Sequence, residues 1–252
     1  MYKKLLYAAG TTAACRYAAK LLSERGFLFI DHPSPEITDL ILDVPTFCPD
    51  GRLKNGESPE KLLSMLPRNV TVAGGNLNHP ALASHKTLDL LLDPYYLASN
   101  AAITADCALR IAASHIKTTF SDTPTLILGW GRIGKCLSQL LKGTGCPVTV
   151  AARKETDRAV LQSLGYQTLD FTDIPLQLPS FRLLFNTVPA PILDMESVSL
   201  KKPCTLIELA SVNGITGSET VIARALPGTY APESSGRLIA DTLCRLWKEE
   251  IK

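Results

Sequence analysis

Residues Thr125 to Gly134 read TLILGWGRIG, a short apolar run that enters Gly129-x-Gly131-x-x-Gly134 and continues as a helix-forming stretch, Lys135 to Lys142. A second β-like run, Pro147 to Ala152, follows at the distance expected of a strand–helix–strand unit. In that setting each glycine has its own task. Gly129 permits the tight turn, Gly131 lets the backbone approach a pyrophosphate, and Gly134 lets helix and strand pack closely. The phosphates then meet a helix N-terminus, where unpaired N–H groups and the helix dipole favour negative charge. Gly129, Trp130, Gly131, Arg132, Ile133 and Gly134 are therefore the expected dinucleotide-binding loop of a Rossmann fold, with Arg132 as a phosphate neighbour.

The end of the second strand selects the nucleotide. A site for NAD places Asp or Glu roughly 20 residues beyond the glycines to accept hydrogen bonds from the ribose. This chain reads Ala151-Ala152-Arg153-Lys154-Glu155-Thr156. Arg153 and Lys154 suit a 2′-phosphate, which a carboxylate repels, and Thr156 adds a hydroxyl. The expected cofactor is NADP rather than NAD. The other reading makes this a solvated basic turn, with Glu155, displaced by two residues, as the ribose acceptor.

Composition bounds the rest. With 252 residues, 46% hydrophobic and 20% charged, the chain suits two domains and an ordinary buried core. Its net charge of +2 arises from 26 basic and 24 acidic residues without a basic stripe, which argues against nucleic acid. Seven cysteines (Cys15, Cys48, Cys107, Cys136, Cys146, Cys204, Cys244) include no CxxC pair, which fits reduced, mostly buried thiols in the cytoplasm; no metal is expected. Lys3-Lys4 before Leu5 to Ala9 faintly resembles a signal segment. The apolar stretch is short and broken by Gly10-Thr11-Thr12, so a strand, a turn and an amphipathic helix over Ala13 to Arg25 explain it better. No run approaches the roughly 18 apolar residues of a membrane span.

The predicted class is α/β: two α/β domains, the second a Rossmann doubly wound parallel sheet, linked by an interdomain helix. Residues 1–98 read as a flavodoxin-like substrate domain with strands at Lys4 to Ala9, Phe27 to Asp31, Leu40 to Val44, Val70 to Ala73 and Leu88 to Leu92. The Pro45 to Pro59 stretch reads as a loop. Residues 99–120 supply the interdomain helix, from about Asn100 to Ile116, and its linker; residues 121–237 form the Rossmann domain. A closing helix, about Glu233 to Ile251, carries an apolar stripe, and its part over about 238–252 is expected to pack back on the first domain.

Within the Rossmann half, Leu183 to Asn186 and Thr205 to Leu209 read as buried strands. Their polar ends, Asn186-Thr187-Val188-Pro189 and Glu208-Leu209-Ala210-Ser211, belong at the carboxyl edge of a parallel sheet, facing the nicotinamide half of the cofactor. Asn186, Glu208 and Ser211 are the catalytic candidates there; Asn186, Thr187, Val188, Pro189 and Ala210 are also expected to touch the cofactor. A carboxylate at Glu208 needs a partner, so it binds a ribose hydroxyl, accepts a proton or is paired structurally. Asn100, Thr104 and Asp106 are candidates to hold substrate from the interdomain helix, with N-capping as the plain alternative for Asn100. All four histidines, His32, His79, His85 and His115, precede the Rossmann strand, so the late catalytic His of D-2-hydroxyacid dehydrogenases is absent. For Arg16 and Arg110 a solvated surface position is the simpler reading.

Taken in order, the Asn100 to Asp106 segment, Gly129 to Gly134, Ala152-Arg153-Lys154, Asn186 to Ala190, Leu209-Ala210-Ser211, Leu226-Pro227-Gly228, Ala231-Pro232 and Gly236 resemble the A-subunit family of dipicolinate synthase, over about residues 100–240. The resemblance implies oxidation of a dihydrodipicolinate-type cyclic dicarboxylate to dipicolinate, with Pro227 and Gly228 among the substrate contacts. It also implies a homodimer, a partner in the form of a flavoprotein-like B subunit, and a place in the mother cell of a spore-forming bacterium. Where that family follows Ala-Ser with a basic residue, this chain has Val212-Asn213-Gly214-Ile215, and Glu233 stands where a basic residue often follows Ala-Pro. Two other functions fit the same residues: an NADP-linked dehydrogenase or imine reductase on another small substrate, and a non-catalytic NADP(H)-binding regulatory or partner subunit.

Overall fold

The computed structural model describes residues 4–198 and 203–249. The chain divides into two units, residues 1–100 with 227–252, and residues 101–226. Residues 227–237, which the sequence assigns to the Rossmann domain, thus fall in the first unit.

The first unit contains β1 (Leu5–Ala8), α1 (Ala13–Glu24), β2 (Leu28–Phe29), β3 (Asp39–Ile41), α2 (Pro59–Ser64), β4 (Thr71–Gly74), β5 (Lys86–Asp89) and the start of α3 (Pro94–His115). Its strands are all parallel in the order β2-β1-β3-β4-β5, the flavodoxin-like arrangement. The strand expected at Leu88 to Leu92 ends sooner, at Asp89. The Asp89 carboxylate accepts from the N–H groups of Asn76, Leu77 and Leu91, and this turns the chain into a short 3-10 segment.

Helix α3 begins six residues before Asn100. Asp93 accepts from the Tyr96 N–H at 2.7 Å, and Pro94 occupies the first turn, where its missing N–H is no loss. Asn100 is therefore inside the helix and does not cap it.

The second unit contains β6 (Thr125–Leu128), α4 (Arg132–Gly143), β7 (Val148–Ala151), α5 (Glu155–Ser163), β8 (Gln167–Leu169), α6 (Ile174–Gln177), β9 (Leu183–Asn186), β10 (Leu193–Asp194), β11 (Thr205–Glu208), β12 (Ile215–Thr216) and β13 (Val221–Ile222). The six-stranded sheet runs β13-β11-β9-β6-β7-β8, all parallel, the doubly wound Rossmann order. Strands β10 and β12 form a separate parallel pair. Every residue of β6 and β9 is buried, which is why both read as unbroken apolar runs with no alternation. Each fully buried side chain of this size, such as Ile127 or Phe185, contributes about 1.5–3 kcal/mol over leaving it in water.

The last helices are α7 (Leu226–Tyr230) and α8 (Pro232–Glu249). Helix α8 packs on α1 through small residues. A Cβ on Gly236 would meet the Ala14 carbonyl oxygen and the Ala18 nitrogen, so only glycine permits that approach. Leu243 and Trp247 then reach the core of the first sheet, where Trp247 lies 5.0 Å from Phe27. The expected end of this helix at Ile251 lies outside the described residues.

Candidate functional site

The register of the second sheet brings Ala151, Leu128, Asn186, Glu208 and Ile222 level at one edge. The segments that leave these strands (152–154, 129–134, 187–190, 209–214 and 223–224) therefore emerge side by side.

At the centre, Gly129 has φ 101° and donates its N–H to the Ala151 carbonyl. A side chain there would strike Thr187 and Val188, and one on Gly134 would strike the Gly129 carbonyl oxygen. Between them Gly131 faces open space: a Cβ would meet nothing within 4 Å. Gly131 is also the N-cap of α4, and no side chain caps that helix. An accessible backbone cradle at an uncapped helix N-terminus fits a pyrophosphate. Arg132 is exposed beside it, and Trp130 lies 6.1 Å from Tyr166 with the Lys135 ammonium 5.6 Å from its ring.

One strand over, Arg153, Lys154, Glu155 and Thr156 are exposed. Neither Arg153 nor Lys154 makes an ion pair among the described residues. Glu155 and Thr156 lie in the first turn of α5. The turn is presented by a residue that no sequence motif marks. Arg158 donates to the Ala152 carbonyl at 2.7 Å and the Arg153 carbonyl at 3.0 Å, and pairs with Asp170 at 2.6 Å. The N–H and hydroxyl of Thr172, then Arg158, hold the Asp170 carboxyl below the usual carboxylate range.

On the other side, Asn186 and Glu208 are fully buried and bonded to each other. One Glu208 oxygen accepts from Asn186 at 2.8 Å and the Ala210 N–H at 3.0 Å; the other accepts from Asn186 at 3.0 Å and the Gly214 N–H at 2.8 Å. The Asn186 amide also donates to the Val188 carbonyl and accepts from the Val188 N–H. The structure thus makes this pair the framework of two loops, the structural one of the three roles open to Glu208. The polar atoms of both side chains are engaged inside the protein. Thr187 is engaged too, its hydroxyl donating to the Leu128 carbonyl at 2.8 Å. Val188 is partly exposed and Pro189 exposed; Ala210 is buried, while Ser211 is exposed at the loop tip.

On α3, Asn100 and Thr104 lie one turn apart, whereas Asp106 points elsewhere and pairs with Arg110 at 2.7 Å, both well exposed. Pro227 and Gly228 lie in α7, within the first unit. Arg16 donates to the Thr11 carbonyl in its own turn. His79 caps the 3-10 turn at Pro80–Leu82 and stacks on Phe47 at 4.5 Å, a structural post. Among the described residues no group of three or more His, Cys, Asp or Glu is placed to hold a metal ion, and no helix is long and apolar enough to cross a membrane.

No family profile matches the chain. It is 25% identical to the A subunit of dipicolinate synthase from Bacillus subtilis (strain 168) over 237 residues, which cover 86% of this chain and 80% of that protein. Its fold matches the crystal structure of the dipicolinate synthase A subunit from Bacillus halodurans with a TM-score of 0.85, at 20% identity over 97% of each chain. It matches a transhydrogenase from Sinorhizobium meliloti with a TM-score of 0.77, at 14% identity over 98% of this chain and 94% of that one. The resemblance carried by the motifs between residues 100 and 240 therefore holds along most of the chain, and the two-domain α/β fold is shared.

Proposed function

We propose that this chain is an NADP-dependent oxidoreductase that acts on a small cyclic dicarboxylate of the dihydrodipicolinate type. The oxidoreductase class rests on its resemblance to the A subunit of dipicolinate synthase. The observation that carries the cofactor is the open backbone at Gly131 on an uncapped helix, flanked one strand away by two basic residues without counter-ions among the described residues. When bound, the nicotinamide supplies a hydride acceptor. The chain's own contribution is positional: Gly129 to Gly134 seat the pyrophosphate, and Arg153, Lys154 and Thr156 hold the 2′-phosphate. The Asn186–Glu208 pair fixes loops 187–190 and 209–214, between which the reacting ring is held. Aromatisation provides driving force, so orientation and the loss of one proton are what the protein must arrange. A homodimer, a flavoprotein-like B subunit and a cytoplasmic place in a spore-forming cell complete the reading.

Calorimetric titration with NADP and NAD, alone and with pyridine-2,6-dicarboxylate, tests it. The expected result is NADP preference and tighter nucleotide binding with the dicarboxylate present. Equal affinity for NAD would overturn the cofactor assignment, and indifference to the dicarboxylate would overturn the substrate. A second reading, another NADP-linked dehydrogenase or an imine reductase, is favoured by the lack of a basic residue in 209–215 and by the acidic Glu233 after Ala231-Pro232.

A further inference from the structure

The structure assigns a substrate-carboxylate contact to Arg224, a residue that no motif marks. Arg224 follows β13, the outermost strand on the side of the sheet away from β7. Its Nε donates to the Ala210 carbonyl at 3.0 Å and its Nη2 to the Asn213 side-chain oxygen at 2.6 Å. Both acceptors are neutral. The residue is exposed and makes no ion pair among the described residues, and Nη1 makes no hydrogen bond there. A guanidinium has five N–H donors, so the two bonds orient it while most of its donors and its whole charge stay available. The carboxylate at the base of the same loop, Glu208, does not neutralise it, being buried with both oxygens taken.

Position gives this charge its meaning, and here the inference rests on the nicotinamide-dependent reading. The cofactor would run along the carboxyl edge from Arg153 after β7, across the glycine loop after β6, towards β9 and β11. Strands lie about 4.8 Å apart, so β13 is about 14 Å from β6, just past the reacting end. A cation there meets the substrate and not the nucleotide. It also gives loop 209–214, which has no basic residue of its own, a positive charge from the next strand. Ala225 follows at φ 53°, an uncommon conformation for a residue with a Cβ, which sets how the chain leaves this point.

Binding measurements on the NADP-saturated chain test the assignment with three probes: pyridine-2,6-dicarboxylate, pyridine-2-carboxylate and the neutral pyridine-2,6-dicarboxamide. Arg224→Gln is expected to weaken the carboxylates roughly tenfold or more, with Arg224→Lys recovering part of the loss. The dicarboxamide and NADP itself should bind as before. Equal loss for every ligand, including NADP, would reduce Arg224 to a loop pin and overturn the assignment, as would carboxylate binding unchanged in Arg224→Gln or absent from the unmodified chain. If the unmodified chain takes the monocarboxylate through Arg224 but refuses the dicarboxylate, the dicarboxylate reading falls and the Arg224 assignment stands.

Discussion

The two sheets present the same local device at their carboxyl edges, a strand turning through small residues into a helix, and use it in opposite ways. After β1, the N–H groups of Thr11 and Thr12 and the Thr12 hydroxyl all converge on the Asp43 carboxylate, at 2.9, 2.9 and 2.5 Å, and Thr12 caps Cys15 in α1. After β6, no carboxylate among the described residues bonds the turn, no side chain of theirs caps α4, and Gly131 is left bare. Asp43 comes from the end of β3, the neighbour of β1; the corresponding neighbour of β6 is β9, whose Thr187 turns its hydroxyl onto the Leu128 carbonyl instead. The anion for the first turn is part of the chain, whereas the second turn is the one proposed to take a ligand's. In this chain the helix N-terminus after β1 is filled from the neighbouring strand's end and the one after β6 is not, which leaves the second suited to an anion.

Removing the built-in anion should have the largest effect. Asp43 is 3% exposed, so Asp43→Ala removes the shared acceptor of two partly buried N–H groups and the Thr12 hydroxyl and should cost about 2 kcal/mol of stability. Denaturant titration checks this, and NADP affinity should not change. Sulfate should recover more stability in the variant than in the unmodified chain if the vacated turn is a true anion cradle; equal response would break the parallel between the two edges.

Filling the open turn is the converse experiment. Gly131 has φ −80° and ψ −170°, ordinary for a capping serine, so Gly131→Ser should keep or slightly raise the melting temperature. The new side chain occupies the pyrophosphate's approach, so NADP affinity should fall roughly tenfold to a hundredfold, as expected of about 1–3 kcal/mol of overpacking. Undiminished affinity would mean that the nucleotide does not use this cradle. Intrinsic fluorescence offers a direct readout, since Trp130 lies in the loop and the other tryptophan, Trp247, is buried in the first unit.

A smaller effect is expected at the neighbouring turn. Arg153→Ala or Lys154→Ala should each weaken NADP about tenfold and leave NAD unchanged, as loss of one charge-assisted phosphate contact predicts. If NAD and NADP lose equally, the turn holds the ribose or the loop and does not select the phosphate.

The asymmetry between the two edges is partly legible in the sequence. The glycine spacing 129-131-134 identifies the open turn, because Gly129 and Gly134 answer steric demands that only glycine meets and Gly131 leaves the backbone bare between them. Nothing in Gly10-Thr11-Thr12 indicates that its anion is supplied by a residue 31 positions away, since hydrogen bonds of that range are set by strand order. The same limit hides Arg224, which reaches Asn213 from the next strand. Glu208 is recognisable as a carboxylate in need of partners, yet which partner it finds depends on the register that sets it opposite Asn186. The start of α3 is readable after all: Asp93-Pro94 is a cap followed by a first-turn proline, a stronger signal than Asn100.

Acid should distinguish the two units only slightly. Burial pushes the Asp93 carboxyl up, but the Tyr96 N–H and the Arg245 guanidinium outweigh it and hold it below the usual range; Asp170 is lowered by Thr172 and then Arg158. Both values are lower in the folded than in the unfolded chain. The stability they contribute is therefore complete above about pH 4, the ordinary carboxylate value, and is lost as pH falls through the lower folded one. Asp93→Asn and Asp170→Asn should thus be less stable than the unmodified chain near neutrality, with the gap closing below about pH 4. The gap should be larger for Asp93, whose side chain is 10% exposed against 33% for Asp170, because water screens the second pair more. A gap that persisted in acid would show that the aspartates act through packing and not through charge.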